Sequence, residues 1–269
     1  MDMLYWSRHF RNMPGEGDLD VIGFMRAVMA TGYAGPVSLE IFNDQFRGGP
    51  PKTIAGDGYR SLVALMDDVR RIEPDIKINL PDIPERIRVK SAAFVEFATR
   101  DDEKERLEAL LASMGFRCAS HHVSKSLAVW QQGDIRFVVN AETKGHAHST
   151  WLTRGTTVCD IGIEVASARD TLQRATAMGA KAFSQPLAPN EINIPAIRGL
   201  GGSLLHFLDQ SSGLADVWSV EFSSDTDDTH NDAGLVCVDH LAQTMSYDQM
   251  LSWSLFYTTL FSMNKAEMV

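Results

Sequence analysis

Nowhere does the sequence hold about 18 consecutive apolar residues, the length a membrane-crossing helix needs. Residues 1–10 contain no apolar stretch long enough for a secretory leader. Positive charge is in deficit. The 25 lysines and arginines face 35 acidic residues, for a formal net charge of −10. That balance argues against nucleic acid and against an anionic membrane surface as partners. Cysteine is scarce as well: Cys118, Cys159 and Cys237 lie scattered in apolar runs. They read as reduced core residues of a cytoplasmic protein, not as a disulfide framework. A zinc finger is excluded by spacing, because Cys237 and His240 form a close pair with no second pair to match. What is present is 269 residues with 44% hydrophobic content, enough for one large or two small cores.

Three stretches share the outline of a short buried strand. They are Ala-Ala-Phe-Val-Glu-Phe-Ala-Thr at 92–99, Cys-Asp-Ile-Gly-Ile-Glu-Val-Ala at 159–166 and Val-Cys-Val-Asp-His-Leu-Ala-Gln-Thr-Met at 236–245. A helical run follows each and ends in a methionine near a turn: Met114, Met178 and Met263. Three such units predict a repeat architecture. Aligning the copies sets His240 against Ile161 and Phe94, so only the third copy offers a metal-binding side chain there. Within the first copy the pattern predicts a helix over 101–114, strands over 121–131 and 134–140, and a polar loop over 140–154. The second copy spans 157–209, with its helix at 168–178. The third helix, 247–261, is heavy in aromatic residues and needs a partner surface.

Residues 1–72 are patterned differently. Residues 1–6 read as part of a strand, followed by polar and turn-rich residues. Asp18 can cap a helix that is apolar at Val21, Ile22, Met25, Val28 and Met29, and Gly32 suits its left-handed end. A strand is expected at 36–42 and a helix at 56–72. Strand, polar loop, helix, strand is one and a half units of a β/α barrel. Pro74, Pro81 and Pro84 mark a linker over 73–89, and an acidic stretch marks a second over 223–234. The expected domains are 1–72, 90–222 and 235–269.

Glu40 is the first candidate for chemistry. Alternation puts it on the strand face with Ser38 and Phe42, near the end of the strand where barrel active sites lie. A solvated strand-end glutamate is the plain alternative. Taken together, Trp6-Ser-Arg-His-Phe-Arg, Pro14-Gly-Glu-Gly-Asp-Leu-Asp and Gly32-Tyr-Ala-Gly-Pro-Val-Ser-Leu-Glu-Ile-Phe-Asn-Asp resemble the end of a bacterial 3-dehydroshikimate dehydratase. The variety it resembles has a xylose-isomerase-like barrel fused to a 4-hydroxyphenylpyruvate-dioxygenase-like half. The resemblance implies an internal fragment. Its fold class would be α/β and α+β: the C-terminal remnant of a TIM barrel, then paired βαβββ modules of the vicinal-oxygen-chelate type.

It further implies that Glu40 is the last ligand of a divalent metal (Mg, Mn or Co). Ser7 and Arg11, and less directly Arg8 and His9, would line the substrate pocket. The chemistry suits those residue types. Dehydrating 3-dehydroshikimate to protocatechuate needs a polarised ketone, α-proton removal and loss of hydroxide; a hard ion stabilises the enolate and an arginine grips the carboxylate. His240, in Val-Asp-His-Leu, is similar to the first iron ligand of the dioxygenase, which holds Fe(II) with a further histidine and a glutamate. A structural strand histidine is the plain alternative.

Other candidates are weaker. His121, His122, His146 and His148 read as a surface strand and loop. Residues 199–202 read as a β-turn and not a dinucleotide loop. His206 reads as structural, and Glu96 and Glu164 carry no role. Three functions remain open: a piece of the fused dehydratase, inactive alone and acting on 3-dehydroshikimate; a dioxygenase acting on 4-hydroxyphenylpyruvate; or a non-catalytic unit that binds partners or forms a homo-oligomer.

Overall fold

The computed structural model describes residues 2–224 and 233–266. The chain divides into two compact units: unit 1 is Met1–Ile87, Gln173–Ala180 and Thr244–Val269, and unit 2 is Arg88–Leu172 and Lys181–Gln243. Most of the acidic stretch expected as a second linker, 225–232, lies outside the described residues. No helix among the described residues is long and apolar enough to cross a membrane.

In chain order the first elements are helices α1 (Met3–His9), α2 (Val21–Ala30), α3 (Asp44–Gly48) and α4 (Pro51–Ile72). They are followed by β1 (Val89–Ala98), α5 (Asp101–Ser113), β2 (Arg117–His122), β3 (Leu127–Gln132), β4 (Ile135–Asn140) and α6 (Gly145–Arg154). The second repeat brings β5 (Thr157–Val165), α7 (Ala168–Ala177), β6 (Ala182–Phe183), β7 (Ala196–Arg198) and β8 (Leu204–Leu208). Helix α8 (Val217–Val220), strand β9 (Phe222–Ser224) and helix α9 (Met250–Leu260) complete the chain.

Unit 1 is helical. Helix α2 is capped by Asp20, whose carboxylate accepts from Gly23 N at 2.8 Å, two residues after the expected Asp18. Gly32 closes it at φ +82°, as its lack of a Cβ allows. Met25 and Met29 pack on Leu65, Met66 and Val69 of α4. Residues 73–88 hold no helix, yet their Ile83 and Ile87 are buried. The fully buried Arg174 ties the unit together, donating to Asp67 Oδ2 at 3.1 Å, Pro84 O at 2.6 Å and Thr259 O at 2.7 Å.

Two expectations for unit 1 are corrected. Residues 3–9 form a helix, capped by Asp2, where a strand was expected. The segment 36–42 forms no strand; a single bridge, Phe10 to Asn43, touches its end. A strand exists only through a ladder with a neighbour, and no described segment offers one here.

Unit 2 is one nine-stranded sheet in the order β6-β7-β8-β5-β1-β4-β3-β2-β9. Without β9 the order is symmetric about the antiparallel β1–β5 pair. Each half runs strand, helix, three strands, and its last strand returns parallel beside its first: β4 on β1, β8 on β5. This is the paired βαβββ arrangement. Both repeat helices end alike. Phe116 N reaches Leu111 O, Ala180 N reaches Ala175 O, and Gly115 and Gly179 sit at φ +86° and +85°. The Met-Gly pairs read from the sequence are these helix ends.

Three details of unit 2 differ from expectation. Residues 121–131 are not one strand but the end of β2, a turn and β3. Residues 145–154 of the expected polar loop are helix α6. The third copy, 236–245, forms no strand: Asp134 N bonds to Val236 O, and Val238 packs on the cluster around Leu111 and Phe116. The expected turn at 199–202 is present as a 3-10 turn before β8.

Candidate functional site

The sequence-predicted residues fall into one local group and two isolated ones. Arg11 Nε donates to Ser7 O at 2.6 Å, and its guanidinium lies 5.0 Å from the Phe42 ring centre. Arg11 N bonds to Phe42 O, and Asn43 Nδ2 donates back to Arg11 O at 2.9 Å. His9 Nδ1 lies 2.8 Å from Asp44 Oδ2. The Ser7–Arg11 turn and the 42–44 segment are therefore joined. Arg8 and Glu40 are exposed. His240 has an 80% exposed side chain and meets its neighbour Asp239 at 2.8 Å.

A cavity of about 480 Å³ lies in unit 2 against one face of the sheet. Side chains alternate along a strand, so β1 aims both Phe94 and Glu96 at it. Val138 and Asn140 of β4, Asp160 of β5, and Leu204 and His206 of β8 share that face. The register fixes the grouping: Glu96 stands opposite Val138 and Asp160, and Gly162 opposite Phe94 and His206. A Cβ on Gly162 would sit 2.2 Å from the Phe94 ring, so the ring occupies the space glycine leaves.

The cavity floor is polar. His206 Nδ1 lies 2.6 Å from Asp160 Oδ2. Glu96 Oε1 accepts from Asn140 Nδ2 at 2.8 Å. Removal from water, then the nearby Asp160 charge, raises the Glu96 carboxyl from its ordinary 4.5 to about 7. For His206 burial acts to lower the pKa, but Asp160 outweighs it and the net direction is up. Burial lowers His146 and pushes the Cys159 thiol up. Asp160 is 4% exposed, and its Oδ1 meets no hydrogen-bond partner among the described residues.

The 184–194 segment also lines the cavity, fastened by a second polar group. Ile192 N donates to Glu221 Oε1 at 2.6 Å, and Lys125 Nζ lies 2.6 Å from Glu191 Oε1. His122 Nδ1 accepts from Ser124 N and Lys125 N, so its Nε2 carries the proton and donates to Glu221 Oε2 at 3.1 Å. His122, Glu191 and Glu221 are close enough to share an ion. Their ligand atoms are already engaged: Nε2 by Glu221, Glu191 Oε1 by Lys125. The arrangement suits a latch better than a metal centre. Glu40 and His240 belong to no other group of three metal-binding side chains among the described residues. Among the described residues, neither Glu40 nor His240 is therefore joined by the further ligands a divalent ion or Fe(II) would need.

The sequence reading passed over Glu96, Asp160 and His206, and it took His122 for a surface residue although it is buried. One signal existed. The repeat was aligned Phe94 on Ile161, but Phe94 pairs with Gly162, and Ile161 belongs to the opposite face. A slip of one residue exchanges the faces of a strand. The β1–β5 pairing sets Glu96 opposite Asp160, and the β5–β8 pairing brings His206 beside them.

A family model described as hydroxyphenylpyruvate dioxygenase, HPPD, N-terminal, matches residues 85–223. The 3-dehydroshikimate dehydratase of Pseudomonas putida is 38% identical over 266 residues, 97% of this chain and 42% of that protein. The 4-hydroxyphenylpyruvate dioxygenase of Pseudomonas aeruginosa is 35% identical over 167 residues, 61% of this chain and 46% of that protein. A solved structure titled xylose isomerase-like TIM barrel/4-hydroxyphenylpyruvate dioxygenase fusion protein is 38% identical, with a TM-score of 0.85 over 97% of this chain and 42% of that one. The chain spans less than half the length of each of these relatives.

Proposed function

The chain belongs to the family of hydroxyphenylpyruvate dioxygenase N-terminal domains through residues 85–223, and from that premise we propose that it is part of a 3-dehydroshikimate dehydratase whose barrel is fused to a dioxygenase-like half. One observation carries the choice. Similarity to the dioxygenase of Pseudomonas aeruginosa covers 61% of the chain, whereas similarity to the dehydratase of Pseudomonas putida covers 97% and so takes in most of unit 1. The proposed reaction converts 3-dehydroshikimate to protocatechuate and water.

In this reading residues 1–72 are the last units of the barrel, 90–222 the metal-free paired modules and 235–269 the start of the dioxygenase-like module. Ser7 and Arg11, with Arg8 and His9, would contribute to the substrate wall. The bond from Arg11 Nε to Ser7 O and the Phe42 ring beneath the guanidinium hold that side chain in one orientation, as gripping a carboxylate requires. Glu40 would supply one carboxylate to a divalent ion that polarises the ketone, and His240 one imidazole to an iron centre. Among the described residues neither side chain meets further metal ligands. The ligand is a small molecule, with 4-hydroxyphenylpyruvate the competing substrate.

The test is protocatechuate formation from 3-dehydroshikimate, read by absorbance. The expected result is none from this chain alone, turnover by the whole protein that contains it, and loss of that turnover in Glu40→Gln. Dehydratase activity insensitive to Glu40→Gln, or oxygen uptake with 4-hydroxyphenylpyruvate and no dehydration, would overturn it.

A further inference from the structure

The cavity of unit 2 has a chemistry the dehydratase reading leaves unused. Its lining contains five carboxylates, Glu96, Glu142, Asp160, Glu191 and Glu221, against Lys125 and Lys144. Several are already satisfied. Lys125 is matched by Glu191, Glu221 holds His122 and Ile192, and Glu142 Oε1 accepts from Ser126 N at 2.5 Å. At the floor His206 covers Asp160 Oδ2 at 2.6 Å, which leaves Glu96 and the buried Asp160 Oδ1, unpartnered among the described residues, to meet a further donor. A buried acceptor without a donor costs stability unless something fills the gap. The opposite end is apolar and aromatic. Phe94, Trp218 and Phe222 pack at 5.6–5.7 Å between ring centres, with Leu127, Ile192 and Ile194 beside them. The volume suits a small organic molecule.

We propose that this cavity binds a small amphipathic organic cation, an aromatic or aliphatic body carrying a protonated amine, with the ammonium on Asp160 and Glu96 and the body against Phe94 and Trp218. The acidic floor selects a positive head, the unpartnered Oδ1 supplies its acceptor, and the ring faces favour a cation nearby. A divalent ion fits less well. Glu96, Asp160 and His206 do not bring their atoms within the 4.8 Å that a shared ion needs. Binding draws on the charge of Glu96. Four titratable side chains face that carboxylate or its partner: Asp160 and Cys159 from β5, His206 from β8 and His146 from α6. Arg198 lies against His146 at 3.2 Å. An ammonium arriving among them favours loss of the Glu96 proton, so affinity rises with pH. The site is separate from the proposed dehydratase chemistry and stands or falls without it.

Calorimetric titration of this chain with 2-phenylethylammonium, 2-phenylethanol, phenylacetate and Mn(II) tests the proposal. The amine is expected to bind tighter than the isosteric alcohol by on the order of tenfold, and the anion not to bind. Amine affinity should rise between about pH 6 and about pH 8 as Glu96 loses its proton. Asp160→Asn should weaken the amine by on the order of tenfold. Ile194→Trp, which fills the apolar end without touching the floor, should abolish binding while the melting temperature holds; it decides the matter if Asp160→Asn fails to fold. Equal affinity for amine and alcohol, amine binding unchanged by both variants, or Mn(II) binding with no amine binding would each overturn it.

Discussion

Unit 2 and unit 1 treat the backbone in opposite ways. Unit 2 places nine strands in one sheet whose two halves complete each other across β1 and β5. Unit 1 relies on helices, which satisfy their hydrogen bonds internally, and its 36–42 segment has no ladder. Met3, Leu4, Tyr5 and Trp6 of α1 are all exposed, while Phe94, Val95 and Ala98 of β1 are buried. A repeat that carries its own partner can close its core. A segment patterned for a strand stays open until a neighbour supplies the other edge.

Unit 1 should be most sensitive at Arg174, with the largest effect of any single change. Its removal strands the carbonyl of the buried Thr259 and that of the half-buried Pro84, and takes one of three arginines from Asp67. Those arginines outweigh the burial penalty and hold the Asp67 carboxyl below its usual range. Arg174→Ala is expected to destabilise by about 3–5 kcal/mol. Hydrogen exchange should show α4 and α9 losing protection first; protection lost uniformly along the chain would contradict a unit-1 role.

Unit 2 should be most sensitive at its central seam. Gly162→Ala drives a Cβ into the Phe94 ring at 2.2 Å, at an expected cost of about 1–3 kcal/mol in urea unfolding. Adding Phe94→Ala should make the double variant less unstable than the sum of the two singles. Strict additivity would show that the ring has room to move.

A smaller effect is expected at Asp209, which accepts from Ala168 N at 2.7 Å at the start of α7 and from Ser211 and Ser212. Burial opposes its charge, but these hydrogen bonds prevail and lower its carboxyl from 3.8 to about 2. The stabilisation is therefore present above about pH 4 and is lost as pH falls through about 2. Asp209→Ala should cost about 1–2 kcal/mol at neutral pH and remove that acid-limb slope.

Glu96 gives the opposite slope. Its folded pKa, about 7, stands above its ordinary 4.5. Its contribution is complete below 4.5 and is lost as pH rises through about 7. Thermal melts of Glu96→Gln from acid to neutral pH should lack this decline, and an unchanged profile would place the decline elsewhere. Least of all should follow from His240→Ala, within about 0.5 kcal/mol, because the side chain is exposed. A larger loss would mean that the 236–245 segment is packed more tightly than its exposure indicates.

Legibility followed the range of the forces involved. Helices α4, α5 and α7 were legible because a 3.6-residue period is a local property, and the Met-Gly helix ends because a left-handed cap favours glycine. Strand 157–165 was legible as a run of buried residues. Strands at 1–6, 36–42 and 236–245 were misread, since their apolar patterns suit a sheet but no described segment forms a ladder with them. Glu96, Asp160 and His206 lie 46 to 110 positions apart in sequence, and each looks like an ordinary strand residue on its own.

By itself the sequence determined the acidic charge, the duplicated strand-helix unit, the break near residue 88 and the run from Ser7 to Asp44 that ties the chain to the dehydratases. Those depend on composition, short-range period and motif. Only the tertiary structure decided which apolar runs became strands, which face of β1 and β5 turned inward, and which carboxylates meet under the 184–194 segment. Pairing and burial are properties of distant segments brought together, and a strand's role changes with its partner while its residues stay the same.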